Sequence, residues 1–288
     1  MPKLILLPAT GTKDDDAVFA TALAAARLFD SHLTALHVRP DIRREIATMA
    51  GADMGLGAGL DSMIAGLEAE ADAREKAAAT AWTTFREAHG IPIADSPGTP
   101  GVTGQFLREI GNAADWLAEH GRTSDLIVAG REREGGLVAM DVLEAALMDS
   151  GKPLLIAPET IPAPLDGPVA IAWKNTRESA KAVSAALPFI RHGRGVVILT
   201  VQEADEADAD PSPARLAQAL RWHTTAEVRS LRRGGDSAVE AMLRAAQDAR
   251  ATLLVMGGYG HTRLREAVFG GFTRAVMENA PIPVLMAH

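Results

Sequence analysis

Three short apolar runs recur in the same order along the 288-residue chain, and this repetition restricts the fold more than any single motif does. Leu36-His37-Val38 matches Leu199-Thr200-Val201 at an offset of about 163, and Leu126-Ile127-Val128 matches Leu253-Leu254-Val255 at about 127. Pro153-Leu-Leu-Ile-Ala157 matches Pro283-Val-Leu-Met-Ala287 at about 130. A self-match of such long period is a duplicated domain rather than a solenoid. The offset falls by about 36 between the second and fourth strands of the copies, which places an insertion in the first copy at about 41–89. There Gly51-Ala-Asp-Met-Gly-Leu-Gly-Ala-Gly59 precedes a charged, Ala-rich helical stretch. The segment Pro158 to Pro168 holds four prolines and reads as a linker. The expected division is 1–160 and 161–288, each close to the roughly 150 residues one core supports.

Within each copy, short apolar runs alternate with helical periodicity. The first copy reads as strand Lys3–Pro8, helix Asp15–Phe29, strand Leu33–Val38, a short strand near Ile93, and a helix from about Thr103 to His120. That last helix is expected because Phe106, Ile110, Ala113, Ala114 and Leu117 fall on one face. Strand Asp125–Ala129, a further helix and strand Pro153–Ile156 complete the copy. The second copy repeats the order: strand Val169–Trp173, helix Thr176–Phe189, strand Val196–Val201 and a helix around Pro213–His223. Strand Glu227–Leu231, helix Ser237–Asp248, strand Thr252–Met256, helix Phe272–Asn279 and strand Pro283–Met286 follow. Ser237-Ala-Val-Glu240 fits a capping box. Such alternation implies open parallel sheets with right-handed crossovers, a Rossmann-like α/β class. Aromatic content of 4% leaves Ala, Val, Leu and Ile to build the cores, which suits parallel strands under Ala-rich helices.

Several function classes are excluded on composition. Cys is 0, which removes disulfides and thiolate metal sites, and the eight His are scattered without a helix-spaced pair, so no metal is expected. A formal charge of -8 argues against nucleic acid as a partner. No apolar run approaches the roughly 18 residues of a membrane span, and Met1-Pro2-Lys3 leads straight into a strand, so a cytoplasmic location is expected. Neither a Gly-x4-Gly-Lys-Ser/Thr phosphate loop nor a Gly-x-Ser-x-Gly nucleophile turn occurs. Asp14-Asp15-Asp16 reads as the acidic first turn of a helix.

The strongest chemical signal runs from Val255 to Thr273, where a strand ends at Met256 and glycines stand at 257, 260, 270 and 271 before a helix. Glycines there let main-chain N–H groups face an anion, and the helix N-terminus adds unpaired N–H groups and a positive dipole end. Thr273 offers a hydroxyl; His261 and Arg263 lie in the loop. The spacing Gly257-x2-Gly260-x9-Gly270 resembles the nucleotide-binding motif of the universal stress protein family, and the order of strands and helices in both copies is similar to that family's fold.

The resemblance implies two tandem adenine nucleotide alpha hydrolase-like domains forming an intramolecular pseudo-dimer, with Pro153–Ala157 and Pro283–Ala287 paired across a two-fold axis. It also implies an adenine nucleotide, ATP or a relative of it, with or without magnesium. Met256 and Gly257 would line the ribose and adenine side, and Val201 would touch the base. Ala172, Trp173 and Lys174 would form the first-strand loop, and Gly260, Gly270, Gly271, Phe272 and Thr273 would hold phosphates. Two positions depart from the family pattern: Gly271 stands where Ser or Thr is usual, and Lys174 stands about where an Asp meets base and ribose. In the first copy Gly130 is present, but Arg133 replaces the second glycine and no Gly-Ser/Thr opens the helix, so the motif is degenerate there. The expected function is stress-response regulation by a nucleotide-binding protein without a catalytic residue. A ligand-free interaction scaffold with an unknown protein partner, a slow ATPase or phosphotransferase, and further homodimerisation all stay open.

Overall fold

A computed structural model describes residues 1–50, 59–131, 140–202, 210–232, 237–258 and 271–288. Its first half runs β1 (Leu4–Pro8), α1 (Asp15–Phe29), β2 (His32–Arg39), α2 (Ile42–Ala50), α3 (Gly59–Ala88) and β3 (Thr103–Ile110). It continues with α4 (Ala113–Arg122), β4 (Leu126–Ala129), α5 (Met140–Met148) and β5 (Leu154–Ile156). The second half runs β6 (Val169–Ala172), α6 (Arg177–His192), β7 (Val196–Gln202), α7 (Ser212–Leu220) and β8 (Ala226–Arg232). It ends with α8 (Ala238–Asp248), β9 (Leu253–Gly257), α9 (Gly271–Asn279) and β10 (Val284–Ala287).

The strands form one ten-stranded sheet in the order β3-β2-β1-β4-β5-β10-β9-β6-β7-β8. Every pairing is parallel except β5 with β10, which is antiparallel with Leu154↔Met286, Leu155↔Leu285 and Ile156↔Val284. Each half is therefore an open parallel sheet of the same internal order, and the two are joined tail to tail as a pseudo-dimer. The buried residues divide by sheet face. Ile5, Leu7, Leu33 and Val255 pack with α1, α3, α6 and α7, while Leu6, Ile127, Leu254 and Met256 pack with α4, α5, α8 and α9. Alternate strand residues thus feed two helical layers, as strands buried on both sides require. At the seam the α1 and α6 layers meet through Phe29 and Phe189, edge to face with ring centroids 5.0 Å apart. Such a pair contributes about 1 kcal/mol beyond its buried area.

Two sequence expectations change here. Residues 103–110 are a strand rather than the start of a helix, paired with β2 at eight consecutive positions from His32↔Thr103 to Arg39↔Ile110. The helical face drawn through Phe106 and Ile110 straddles a break: Gly111 has φ 137, and Asn112 caps α4 by accepting from Ala114 and Asp115 N–H. Sheet pairing overrides local periodicity, and Ile110 stays exposed. The short strand near Ile93 is reduced to one bridge with Gly104. Elsewhere the expected elements stand, including the reciprocal Ser237–Glu240 capping box of α8. The first-half insertion contains α2 and α3, against α7 alone at the corresponding place in the second half.

Candidate functional site

In the second half the chain leaves β6 outward to β7 and leaves β9 in the opposite direction to β10, so the β6–β9 crevice is the topological switch point. Ala172 pairs in register with Met256 at the carboxyl ends of these strands, and Ala287 pairs with Gly257 on the other side. Ala172, Met256 and Gly257 therefore meet at one rim. Val201 lies on the neighbouring β7, two residues beyond Leu199, which pairs with Ala172. Gly257 is required by close approach: a Cβ there would lie 2.6 Å from Ser179 N and 2.8 Å from the Glu178 carbonyl carbon. The first turn of α6 thus rests on the end of β9.

Two helices begin at this rim, and their N-termini are served differently. In α6, the Thr176 hydroxyl accepts from Ser179 N–H at 3.2 Å. Glu178 sits in its first turn, where a hydrogen bond from its own backbone N–H holds its carboxyl below the usual carboxylate range. The α6 terminus is already occupied by an acid. The first turn of α9 contains no acid, and among the described residues nothing lies within 4 Å of a Cβ placed at Gly271. Phe272 is exposed and Thr273 is buried. Among the described residues, α9 is the one of the two positive dipole ends with no acid beside it.

Trp173 is half-buried at the end of β6. Its backbone N–H donates to Leu199 O at 2.8 Å, and its indole N–H donates to Ser212 Oγ at 2.9 Å. Ser212 in turn donates through Oγ (2.5 Å) and N–H (2.8 Å) to the Asp210 carboxylate, which these bonds hold below its usual pKa. Sequence reasoning missed Ser212 and Asp210; the Asp-Pro-Ser-Pro run at 210–213 is their only local signal. Lys174 is exposed beside this group. Gly260, His261, Arg263 and Gly270 lie outside the described residues.

The corresponding rim of the first half is laced by its own side chains. Asp15, buried at the start of α1, accepts from Thr10 N–H (2.9 Å), Gly11 N–H (2.8 Å) and the Thr10 hydroxyl (2.7 Å). Burial nonetheless pushes its carboxyl above the usual range. His37 of β2, also buried, donates its Nδ1–H to Ala9 O at 2.7 Å. Gly11, at φ 76, lies beneath α3, where a Cβ would come 2.4 Å from Arg74 O. Loop N–H groups that could face a ligand are thus taken internally. A cleft of about 420 Å³ remains at the β1–β4 crevice, lined by Lys13, Asp16, Gly130, Arg131 and Glu159 among others. The Arg131 guanidinium donates across the seam to Glu278 O at 3.3 Å and to Ala280 O. The equivalent position of the second half is Gly258, whose N–H donates within that half to Ala287 O at 2.9 Å and whose Cβ would lie 2.8 Å from the end of the Leu147 side chain of α5 across the seam.

Among the described residues no group of three or more His, Asp or Glu could hold a metal ion, and no helix is long and apolar enough to cross a membrane.

Residues 167–288, most of the second half of the chain, match the model of the universal stress protein family. The whole chain has the fold of a universal stress protein from Archaeoglobus fulgidus, at TM-score 0.71 and 15% identity, covering 99% of this chain and 96% of that one. A functionally unknown protein from Pseudomonas aeruginosa superposes with TM-score 0.54 and 15% identity, covering 99% and 92%. At these identities the likeness is one of fold. No curated protein sequence matches the chain.

Proposed function

We propose that this chain is a stress-response regulatory protein that binds an adenine nucleotide, ATP or a close relative, in a C-terminal domain spanning 161–288. The N-terminal domain, 1–160, serves as its structural partner, and the chain acts by occupancy rather than turnover. The reading is carried by the switch-point crevice, where Gly257 ends β9 against α6 and the first turn of α9 is acid-free and uncrowded among the described residues. In this reading Ala172, Met256, Gly257 and Val201 contact base and ribose, and Gly271, Phe272 and Thr273 present N–H and hydroxyl groups to phosphate. Gly260, His261, Arg263 and Gly270 complete the loop. Lys174, exposed at the end of β6, takes the phosphate side as a cation, because an ammonium has no acceptor to offer adenine or ribose.

The test is calorimetric titration with ATP, ADP and AMP, with and without magnesium, on the parent protein and on Gly260→Glu. ATP binding that the substitution abolishes supports the reading. No binding by the parent overturns it in favour of a ligand-free scaffold, and steady phosphate release would make the protein a slow ATPase.

A further inference from the structure

The helix whose first turn faces the crevice is held at its other end by the opposite half of the molecule. α9 is nine residues long, about 13 Å at 1.5 Å per residue. Its N-terminus carries Gly271 and Thr273; its C-terminus leaves carbonyls without intrahelical partners and with partial negative charge. Two main-chain carbonyls at that end, Glu278 O and Ala280 O, accept from the single guanidinium of Arg131. Arg131 follows Gly130 at the end of the first-half loop strand β4, more than 145 residues away in sequence. A planar fork of fixed donors grips two acceptors at once and so fixes both position and direction, which a flexible ammonium does not do.

From this geometry we infer that Arg131 is a positioning residue for the phosphate end of the C-terminal site, acting through α9 without touching the ligand. The inference rests on the nucleotide reading above. A helix of under three turns packed through Val276 and Met277 moves as a rigid rod, so slack at Ala280 appears at Gly271 and Thr273. Hydrogen bonds to phosphate weaken steeply with misalignment, whereas contacts of Ala172, Met256 and Val201 with the base belong to the sheet and are unaffected. The first half thereby contributes to nucleotide binding while the loop N–H groups of Thr10 and Gly11 at its own rim are taken by Asp15.

The discriminating experiment compares ATP with adenosine, which shares the base and ribose but lacks phosphate. Arg131→Ala is expected to weaken ATP about tenfold, the equivalent of one charge-assisted hydrogen bond. It should leave adenosine within about twofold, with Arg131→Lys intermediate because it keeps the charge but loses the fork. Hydrogen exchange of the α9 amides should rise in Arg131→Ala while those of α6 stay unchanged. Equal weakening of ATP and adenosine would reduce Arg131 to general stability and overturn the inference, as would unchanged ATP affinity in both variants. If Arg131→Ala does not fold, Arg131→Lys alone decides, since it must still separate ATP from adenosine. A parent protein that binds neither ligand overturns the nucleotide reading itself; a parent that binds ATP beside unaffected variants overturns only the role of Arg131.

Discussion

Gly257→Ala tests the construction of the crevice directly. The added methyl would sit 2.6 Å from Ser179 N, 2.8 Å from the Glu178 carbonyl carbon and 3.0 Å from Ser179 Cα. All three are backbone atoms, so no rotamer change relieves the overlap. Reaching an ordinary contact of about 3.4 Å requires α6 and β9 to separate by roughly 0.8 Å in a close-packed interior. Overpacking of this kind costs about 1–3 kcal/mol. The lower entropy of an unfolded chain with Ala in place of Gly returns about 0.4–1 kcal/mol. Taking the middle of each range, the net loss is about 1.3 kcal/mol, or a fall in Tm of roughly 3–5 °C at about 2–4 °C per kcal/mol. Scanning calorimetry of the variant beside Gly271→Ala reads this, because no described residue crowds position 271 and Ala is the better helix former. Gly271→Ala should keep or slightly raise Tm. A Gly257→Ala protein melting within about 1 °C of the parent would refute the argument that α6 rests on this glycine.

Gly271→Ser places a hydroxyl in the open first turn of α9 and should tighten ATP about tenfold by one more charge-assisted hydrogen bond; calorimetry showing unchanged or weaker binding would count against phosphate lying there. Asp15 carries a pH signature: its folded pKa is raised by burial above 3.8, so its protonated form is favoured by folding. That contribution is complete below the unfolded value and is lost as pH rises through the folded one. Asp15→Asn should therefore flatten denaturant-measured stability against pH across that window, and an unchanged slope would contradict the assignment. His32 works in the opposite direction. Burial lowers its pKa from 6.5, so stability from this group is lost as pH falls through 6.5 and below, and His32→Gln should remove that loss. At the seam, Leu285→Ala empties a fully buried position paired with Leu155 and should cost about 2–5 kcal/mol by urea titration.

Much of this architecture is legible in the sequence because strands buried on both faces leave continuous apolar runs. Leu126–Val128 and Leu253–Val255 are such runs, and each lies beside a first strand in the sheet. Pairing of the two last strands follows from the family resemblance, and it is observed at Leu155↔Leu285. Thr103–Ile110 was not legible, because beyond β2 this edge strand meets only the single bridge at Gly104 and its burial does not alternate regularly; Ile110 is apolar yet exposed. At the site, the glycines of 257–271 announce themselves by type and spacing. What they face depends on partners brought from afar. Ser179 against Gly257, Ser212 under Trp173 and Arg131 at the end of α9 each join residues 39 or more positions apart, and no local pattern encodes such meetings.

The contacts that cross the seam also give the molecule a direction. Leu126 lies beside Ile5 as Leu253 lies beside Val169, so Arg131 and Gly258, each five residues further on, are equivalent positions of the two halves. In a dimer of identical subunits about the same axis, both places would hold the same residue, and every substitution would be made twice. A single chain is free of that constraint. Here one side presents a charged arm of seven side-chain heavy atoms to a helix end, and the other presents no side chain at all to α5. The near-symmetric sheet thus joins unequal halves, one shaped as frame and the other as the part that the frame holds.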